Sequence, residues 1–556
     1  MDRRDFLVAL ALAGAHGAAR GATAPVSPAL YDLPPARGAA CLLHLTDCHA
    51  QLLPAYLREA EINIAVGGNV EQLAHLHGEA LLRHYRFPRG SREAYAFASA
   101  DFASLARKYG RMGGFAHLAT LVAQLKAQRP GAILVDGGDN WQGSACALWT
   151  RAADMAGASA RLGVELMTGH WEFTYGEARV LELAKALEGD IEFLAQNVFT
   201  RDFGDRVFAS HAMREINGLN VAIIGQAYPY TPIANPRHLI PEWTFGIHEK
   251  PLQALVHEVR KDGADAVVLL SHNGVDVDLK LASRVRGIDA ILGGHTHDPM
   301  PRAVGIRNAG GRTLVTNAGS YGKFLGVLDL RPRNGRIECD YRLLPVFSDL
   351  LAPDPGMAAL VEQTRQPFAE DLAQPLAQTD DLLYRRGNFN GSFDELILDA
   401  LRETQDAPVA LSPGFRWGTA LLPGQAITVE DVMAQTAITY AGINVREMTG
   451  AELRGVLEDV ADNLFNPDPY YRQGGDMVRA SGLTYTCRPR AAMGRRIDDL
   501  RVGGSPVQAH KRYRVAGWGS VQPLEGEPVP VWEIVCDHLR RRGRVRGVKV
   551  NTPRLA

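Results

Sequence analysis

The sequence has little of several features that would assign a chain to a specialised class. Its 556 residues contain only six cysteines, none of them in a Cys-x-x-Cys pair. A zinc ribbon or a disulfide-dense framework is therefore not indicated, although one or two isolated disulfides stay open. Lysine and arginine number 60 against 62 acidic residues, for a net charge of -2. The basic residues are also scattered, which argues against binding of nucleic acid or an anionic membrane.

Long apolar runs are also missing. After the N-terminal segment, no stretch approaches the roughly eighteen apolar residues of a membrane span, so we expect no membrane association of the mature form. The chain is nevertheless 46% hydrophobic, which is enough for large buried cores in several domains. A globular enzyme is the default expectation.

Residues 1–24 have the pattern of a twin-arginine signal peptide. The paired Arg3 and Arg4 precede Phe6 and a modest apolar stretch, and small residues end the segment at Ala24. The alternative is a short hydrophobic N-terminal helix. We predict export to the periplasm by the twin-arginine route.

The first half of the chain repeats one pattern, in which a short apolar run stops at Gly, Asp, His or Asn and a helical segment follows. Such runs are typical of strands buried on both faces of an α/β sheet, and ligands collect where these strands end. We therefore place a site along that edge. The runs are CLLHLTDCHA from Cys41, AILVDGGDN from Ala132, GVELMTGHWEF from Gly163, NVAIIGQA from Asn220, AVVLLSHNG from Ala266 and AILGGHTHD from Ala290.

Changes in composition predict two large domains. Residues 39–347 form the first, with a long polar insertion at about 50–110 that we expect at the surface. Residues 348–375 combine prolines with a helical pattern and predict a linker with a helix. Residues 376–556 predict a second, α+β domain. The insertion's histidines, which we expect to be solvated and not to bind metal, are His75, His77 and His84.

Polar residues that commonly bind metals follow four of the apolar runs. Alone, each motif is as often structural, but their common position at strand ends predicts a dinuclear metal site. Carboxylate and imidazole ligands without thiolate suit manganese, iron or zinc. The surplus positive charge of two such cations favours an anionic substrate. The candidate ligands are Asp47, His49, Asp139, His272, His295 and His297.

Cys48 lies between two of these candidates and invites a reading as a nucleophile. Strand alternation points its side chain away from Asp47 and His49. A buried structural thiol is therefore predicted.

The order DCH, GGDN, GHWEF, SHNG, GGHTHD resembles the calcineurin-type metallophosphoesterases. The later SPGFRWG, ITVEDV and ASGLTYT extend the resemblance to the 5′-nucleotidases over nearly all of the mature chain. This implies a four-layer αββα metallophosphoesterase domain followed by an α+β domain of the 5′-nucleotidase C-terminal type. It also implies one metal on Asp47, His49 and His297, a second on His272 and His295, and Asp139 as the bridge.

GHWEF departs from that pattern, because nucleotidases have GNHEF, in which Asn binds a metal and His helps to protonate the leaving alcohol. Here Trp171 occupies the acid position and His170 the ligand position. The resemblance thus implies a metal or substrate contact for His170, with Asn197 in LAQNV as the alternative ligand. A persulfide anion is a far weaker base than an alkoxide and can leave without a general acid.

GHWEF, the insertion, GGHTHD, RRGNFNGSFDELILDAL and YYRQGGDMVRASG together resemble the SoxB family of thiosulfohydrolases. That resemblance implies two manganese ions, with zinc or iron as alternatives, that activate a water to hydrolyse a cysteine-bound thiosulfonate on the carrier SoxYZ. Sulfate is released in this reaction. A periplasmic 5′-nucleotidase or related phosphoesterase is the alternative function, and a non-catalytic carrier-binding or metal-binding protein is a third.

The second domain supplies candidates for binding the substrate. Arg416 matches the arginine that nucleotidases use on phosphate, and its fork-shaped guanidinium would grip a sulfonate equally well. Arg385, Arg386, Asn388 and Asn390 in RRGNFNG are further candidate anion contacts. Tyr440 keeps one of two aromatic positions that clamp a base in nucleotidases, but Met477 falls at the other. The implied catalytic residues are His170, Trp171 and Arg416.

Overall fold

The structure of the protein is a computed structural model, which describes residues 29–34 and 40–556. The predicted signal peptide at 1–24 lies outside the described residues. Among those described, no helix combines the length and the apolar character needed to cross a membrane. The chain divides into two compact units: unit 1 is Met1–Ala55, Gly110–Gln142 and Cys146–Pro367, and unit 2 is Tyr56–Tyr109, Gly143–Ala145 and Phe368–Ala556.

Short strands and helices alternate along unit 1. Its strands are β1 Ala40–Leu45, β2 Ile133–Asp136, β3 Val164–Met167, β4 Glu192–Phe193, β5 Phe199–Thr200, β6 His211–Ile216, β7 Leu219–Gln226, β8 Trp243–Thr244, β9 Ala266–Ser271, β10 Ala290–Gly293, β11 Val304–Asn308, β12 Gly311–Asn317, β13 Phe324–Arg333 and β14 Arg336–Pro345. The α-helices between Gly110 and Pro367 are Phe115–Gln128, Ala145–Thr150, Ala153–Leu162, Glu177–Ala186, Thr231–Ala234, Glu249–Lys261, Val275–Arg284 and Pro355–Arg365.

Most of these strands form two six-stranded sheets. The first has the order β14-β13-β1-β2-β3-β4, and the second has the order β11-β12-β10-β9-β7-β6. Strands β1 to β4 are parallel, as are β7, β9, β10 and β12, while the hairpin strands at the edges are antiparallel. Helices pack against each sheet. This is the four-layer αββα architecture that the family resemblance implies, and each of the six apolar runs contains one of the strands.

β1 illustrates why these strands are continuously apolar. Leu43 and Leu45 pack into a core with the helix Phe115–Gln128. Leu42 and His44 point to the opposite face and are equally inaccessible to solvent. Because both faces are covered, the strand cannot alternate between apolar and polar residues.

The helix predicted within 348–375 is Pro355–Arg365. Asp354 caps it, with its carboxylate accepting the backbone N–H of Met357 at 2.7 Å. Met357 and Val361 pack into the core of unit 1. The helix is therefore part of the first unit and is not a free connector.

Unit 2 is an α+β domain, as predicted, with sheets ordered β17-β15-β24, β18-β23-β16-β19 and β22-β21-β20-β25. Its strands are β15 Pro375–Thr379, β16 Val409–Ser412, β17 Ala426–Thr428, β18 Ile443–Thr449, β19 Arg479–Ser481, β20 Leu483–Cys487, β21 Ile497–Val502, β22 Ser505–Pro506, β23 Arg512–Trp518, β24 Arg544–Val545 and β25 Arg554–Leu555. Its helices are Asn69–Ala74, Gly78–Tyr85, Arg92–Phe97, Phe102–Tyr109, Ala369–Leu372, Ser392–Thr404, Val429–Thr436, Gly450–Leu464 and Val531–Arg542.

The insertion at about 50–110 is not the surface segment that its polarity predicts. Residues 56–109 form short helices and belong to unit 2. The side chains of Tyr95 and Phe102 are buried, and their ring centroids lie 5.8 Å apart. Each helix has only one apolar face, so its average composition is polar although it contributes to a core.

Side-chain contacts join the insertion to the rest of unit 2. The backbone N–H of Ile64 donates to Asn388 Oδ1 at 2.7 Å, and Arg472 pairs with Glu71 at 3.0 Å. The insertion is thus a covering layer of the second domain, although its sequence interrupts the first.

The histidines of the insertion lie outside both groups of metal-ligand atoms found among the described residues. His75 and His77 hydrogen-bond to the amide of Asn63, at 2.9 and 3.2 Å, and His84 is exposed. The prediction that they are not ligands agrees with this placement. None of the six cysteines, which all lie within 40–556, is in a disulfide.

Candidate metal centre

Two groups of buried side chains meet at the carboxyl ends of strands from both sheets of unit 1. Within each group, the ligand atoms all lie within 4.8 Å of one another. Asp139 belongs to both groups, which is the arrangement that a bridging carboxylate requires. The first group is Asp139, His170, His272 and His295, and the second is Asp47, His49, Asp139 and His297.

The ligand atoms converge closely. The Oδ2 atom of Asp139 lies 3.1 Å from His272 Nε2 and 3.1 Å from His170 Nδ1. The Nε2 atoms of His49 and His297 are 3.0 Å apart. Ring nitrogens aimed at one point from different loops are typical of ligands around a cation.

The backbone of the candidate ligands is strained. Positive φ angles occur at Asp47 (53°), His49 (44°), Asp139 (58°), His295 (70°) and His297 (59°). Non-glycine residues seldom adopt this left-handed region, and such strain collects at functional sites. The loops therefore give up backbone stability to direct five side chains to one place.

Glycines beside the ligands make room for this convergence. A Cβ on Gly294 would lie 2.3 Å from Thr46 Oγ1 and 2.9 Å from Asp47 Oδ2. Gly138 has a φ of 92°, and a Cβ there would lie 3.0 Å from the Cα of Gly169. The GG pairs before Asp139 and His295 thus allow the loops to approach one another.

Glu172 fastens two of the ligand loops together. Its carboxylate accepts the backbone N–H of His170 at 2.7 Å, of Asn140 at 2.8 Å, of Trp141 at 3.2 Å and of Asp139 at 3.3 Å. Burial raises the pKa of this carboxyl, and the charge of Asp139 adds to the effect. The four N–H donors oppose that rise by stabilising the carboxylate.

No role for Glu172 was predicted from the sequence. The available signal was that GHWEF keeps the Glu of GNHEF while changing the two residues before it. A residue retained beside two altered positions indicates a role that is independent of the leaving group.

Tyr228 and Asn235 also contact the centre and were not predicted. The Tyr228 ring centroid lies 3.9 Å from that of His170 and 4.3 Å from that of His295. Asn235 Nδ2 lies 3.5 Å from His170 Nε2. Tyr228 follows β7, the one run among the six without a polar residue of evident metal chemistry at its end.

His170, and not Asn197, lies among the ligand atoms. The amide nitrogen of Asn197 donates to the carbonyls of Ala227, at 2.8 Å, and Gly246, at 3.1 Å, while its oxygen accepts from Ala227 N–H. Asn197 therefore holds the loop after β7. The side-chain amide of Asn197, the alternative ligand, therefore hydrogen-bonds to backbone groups and not toward the ligand atoms.

The electrostatics of the centre require positive charge. Burial alone would lower the pKa of His272, but Asp139 and Asp47 outweigh burial and raise it to about 10. Burial would likewise raise the pKa of Asp139, yet His170 and His272 hold it well below its usual value. Carboxylate oxygens and imidazole nitrogens with this demand for positive charge fit divalent transition metals.

Cys48 is a structural thiol, as predicted. It is fully buried in the core of unit 1, and its Sγ lies 4.0 Å from the carbonyl of Thr46. Burial raises the pKa of this thiol well above its usual value, and the charges of Asp136 and Asp47 add to the rise. The thiolate that a nucleophile needs is therefore disfavoured.

The candidate substrate residue Arg416 lies in unit 2 and is 8% exposed. Its Nε pairs with Asp476 at 3.3 Å, and its Nη2 donates to the carbonyl of Gly475 at 2.6 Å. Of the three guanidinium nitrogens of Arg416, Nη1 is the one without a hydrogen-bond partner among the described residues. A substrate contact by Arg416 stays a prediction.

The other candidates of unit 2 have mixed surroundings. Asn388 uses its side-chain oxygen to hold Ile64, and Arg386 is buried. Tyr440 is half-buried. Met477 is fully buried in the hydrophobic core of unit 2, so a base-stacking residue is absent there for reasons of packing. Anion contacts by Asn388 and Arg386, and any substrate contact by Tyr440, stay predictions.

The fold and the donor set define a metal-dependent hydrolase of the calcineurin-like phosphoesterase class. The family model described as calcineurin-like phosphoesterase matches residues 42–299, and the model described as 5′-nucleotidase, C-terminal domain, matches residues 376–522.

Similarity to a solved structure narrows this class. The sulfate thiohydrolase SoxB of Thermus thermophilus is 36% identical, with a TM-score of 0.89, over 94% of this chain and 98% of that chain. The chain therefore belongs to the SoxB family. A 5′-nucleotidase precursor, also from Thermus thermophilus, shares the fold at 21% identity and a TM-score of 0.73 over 93% of this chain and 99% of that chain.

Curated relatives are more distant. The 5′-nucleotidase of Rattus norvegicus is 25% identical over 300 residues, which is 50% of this chain and 51% of that protein. The chain spans about half the length of such relatives.

We predict that Glu172→Gln weakens metal binding by at least about tenfold, the usual effect of losing a partner that orients ligands. An amide has one acceptor oxygen and would turn N–H groups toward backbone N–H donors. Metal titration of the stripped protein measures the effect. Glu165→Gln on β3, which removes only a pair with Lys126 at 3.2 Å, is the matched control. Equal affinity in the two variants would contradict the role of Glu172.

Proposed function

We propose that the chain is a thiosulfohydrolase that acts on a cysteine-bound S-thiosulfonate of the carrier protein SoxYZ and releases sulfate. We also propose export to the periplasm by the twin-arginine route. The observation that carries the proposal is 36% identity along 98% of the length of a sulfate thiohydrolase SoxB. The curated nucleotidases match with lower identity over about half their length, and the solved 5′-nucleotidase precursor matches at 21% identity.

The reaction breaks the bond between the sulfone sulfur and its neighbouring sulfur. Water supplies the oxygen of a new sulfur–oxygen bond, so that sulfate leaves and a persulfide stays on the carrier cysteine. Two protons pass to the solvent, and no electrons are exchanged. The reaction therefore needs no redox cofactor.

We propose that two manganese ions bind the two ligand groups, one held by Asp47, His49 and His297 and the other by His170, His272 and His295. Asp139 is the residue suited to bridge them. Bound there, the ions would supply an acidified water and stabilise charge growing on the sulfone oxygens. Zinc usually outcompetes manganese for such ligands, so manganese depends on loading before export.

The residues of the chain hold this centre in place. The backbone N–H of His295 donates to both oxygens of Asp47 at 3.0 Å. Thr46 Oγ1 donates to Asp47 Oδ2 at 2.6 Å. These bonds fix the carboxylate so that little reorganisation is needed as charge develops on the substrate.

Trp171 supports a leaving group that needs no proton. Its backbone N–H donates to Asp139 Oδ1 at 2.8 Å, and its indole is almost fully buried. An indole N–H donates hydrogen bonds but does not release its proton near neutral pH. The position that carries an acid histidine in nucleotidases therefore lacks a general acid, which suits a persulfide better than an alkoxide.

A 5′-nucleotidase is the second candidate, and the curated relatives are the observation in its favour. Met477 argues against it, because a methionine buried in the core gives a purine no stacking face. Trp171 argues against it for the reason above.

We expect the purified protein to release sulfate from SoxYZ loaded with thiosulfonate and to hydrolyse AMP poorly. Ion chromatography of sulfate and a phosphate assay measure the two activities under the same conditions. Unloaded SoxYZ is the control. Fast AMP hydrolysis with no sulfate release would overturn the thiosulfonate assignment in favour of the nucleotidase.

Asp139→Ala should lose both metals and all activity, because this carboxylate belongs to both ligand groups. Arg416→Ala should keep the metals and weaken use of the substrate, since it lies in the other unit. Elemental analysis and sulfate release separate these effects, and the same analysis identifies the native metal. An unchanged kcat/KM for the loaded carrier in either variant would remove that residue from the mechanism.

Trp171→His should give no gain in sulfate release. A persulfide is a weak base and can leave without being protonated, so a general acid at this position does not speed the reaction. The measurement is kcat with the loaded carrier across pH, compared with Trp171→Phe as a control for loss of the indole. A rise in kcat specific to histidine would show that a missing acid does limit the reaction.

A further inference from the structure

Unit 2 contains a buried network of charged residues that the metal centre does not use. Its three arginines and two aspartates are all at most 8% exposed. The three cations exceed the two anions by one, and a buried charge without a counterion is unfavourable. The members are Arg385, Asp394, Arg416, Asp476 and Arg479.

Each of the three guanidinium nitrogens of Arg385 has a hydrogen-bond partner within the protein. Its Nε donates to Asp394 at 2.7 Å, its Nη1 to the carbonyl of Gln435 at 2.6 Å and its Nη2 to that of Pro413 at 3.4 Å. Asp394 in turn accepts the backbone N–H of Gly391 at the start of a helix. This pair is a structural anchor.

Both terminal nitrogens of Arg479 have partners. Its Nη2 donates to Asp476 at 2.8 Å, and its Nη1 donates to the carbonyls of Gly387, at 2.9 Å, and Phe389. Its Nε lies 3.5 Å from Asp394 and makes no hydrogen bond to a described residue. In Arg385 and Arg479, each terminal nitrogen thus has at least one hydrogen-bond partner.

Arg416 differs from these two arginines, because its terminal Nη1 is buried with no hydrogen-bond partner among the described residues. Asp476 shares its carboxylate between two arginines, with Oδ2 on Arg479 and Oδ1 on Arg416. The carbonyl of Gly475 accepts a hydrogen bond from Nη2 of Arg416. A charged donor without a partner favours contact with an anionic oxygen.

The backbone around Asp476 is fixed as well. Its N–H donates to the carbonyl of Gly414 at 2.9 Å, and a Cβ on Gly414 would lie 2.2 Å from the carbonyl oxygen of Asp476. Only glycine allows this approach of SPGFRWG to the GGDMVR segment. Asp476 is therefore fixed at two points: its backbone N–H bonds to Gly414, and its carboxylate pairs with Arg479.

We propose that Asp476, held by Arg479, is a positioning residue that aims Nη1 of Arg416 at an anionic oxygen of the substrate. Under the proposed function, on which this inference rests for the identity of the substrate, the oxygen belongs to the sulfonate. Asp476 acts through Arg416 and does not itself touch the substrate.

A double-mutant cycle tests the proposal with the metal-loaded, full-length protein. Asp476→Asn and Arg416→Ala should each raise KM for the loaded carrier by about tenfold with kcat within about twofold, as loss of uniform binding predicts. The double variant should resemble Arg416→Ala alone, because Asp476 has no effect once Arg416 is gone. Additive effects, or an unchanged KM in Asp476→Asn, would overturn the proposal.

The matched control is Asp462→Asn, which removes another aspartate of unit 2 that pairs with an arginine, Arg496, and accepts the N–H of Gly494. It should lower the thermal midpoint and leave KM unchanged. If Asp476→Asn does not fold, Asp476→Glu takes its place, because it keeps the charge and displaces Arg416. A KM for Asp476→Glu equal to that of the parent would count against the proposal.

A second substrate separates failure of the inference from failure of the proposed function. The cycle is repeated with AMP, and with inorganic sulfate and phosphate as competitive inhibitors. If the parent protein releases no sulfate but hydrolyses AMP, the proposed function is wrong. The inference is then decided by the KM for AMP: it holds if the double variant has the same KM as Arg416→Ala alone. If sulfate is released but the effects of the Asp476 and Arg416 substitutions on KM are additive, the proposed function holds and the positioning role of Asp476 is wrong.

Discussion

Two buried carboxylates and five imidazoles in one place are unfavourable unless positive charge lies among them, and the first unit is built around that requirement. Burial lowers the pKa of His272, but Asp139 and Asp47 outweigh burial and raise it to about 10. Divalent ions satisfy the same demand with fixed charge. Glu172 keeps the loops after β2 and β3 together through four backbone N–H groups, so the ligands are held in register by the protein itself.

The geometry of the centre has a cost in backbone strain. Five candidate ligands have left-handed φ angles, each worth about 1–3 kcal/mol by analogy with similar outliers. Two six-stranded sheets with continuously buried strands supply the core that tolerates this strain. Parallel strands also bring their carboxyl ends to one edge, which is why loops far apart in sequence meet there.

The second unit contains the insertion and the buried charge network on which we base the proposed anion contact. The insertion, although its sequence interrupts the first unit, packs onto the second through Ile64, which hydrogen-bonds to Asn388, and through the pair of Glu71 with Arg472. Close by in sequence, the GGDMVR segment contributes Asp476 and Arg479 to the buried charge network. Unit 1 thus holds the candidate metal ligands, and unit 2 holds the surplus cation.

The strand-end ligands and the α+β second domain could be predicted from the sequence, because buried strands and glycine-rich turns leave local patterns in it, whereas the four-layer αββα architecture followed from the family resemblance. The roles of Glu172 and Tyr228, the packing of the insertion and the internal use of Arg416 could not. Each of these depends on a partner distant in the chain: Ile64 and Asn388, for example, are 324 residues apart. Local periodicity predicts which face of an element is buried, whereas the partner of a buried polar group is decided only when the tertiary fold brings distant segments together.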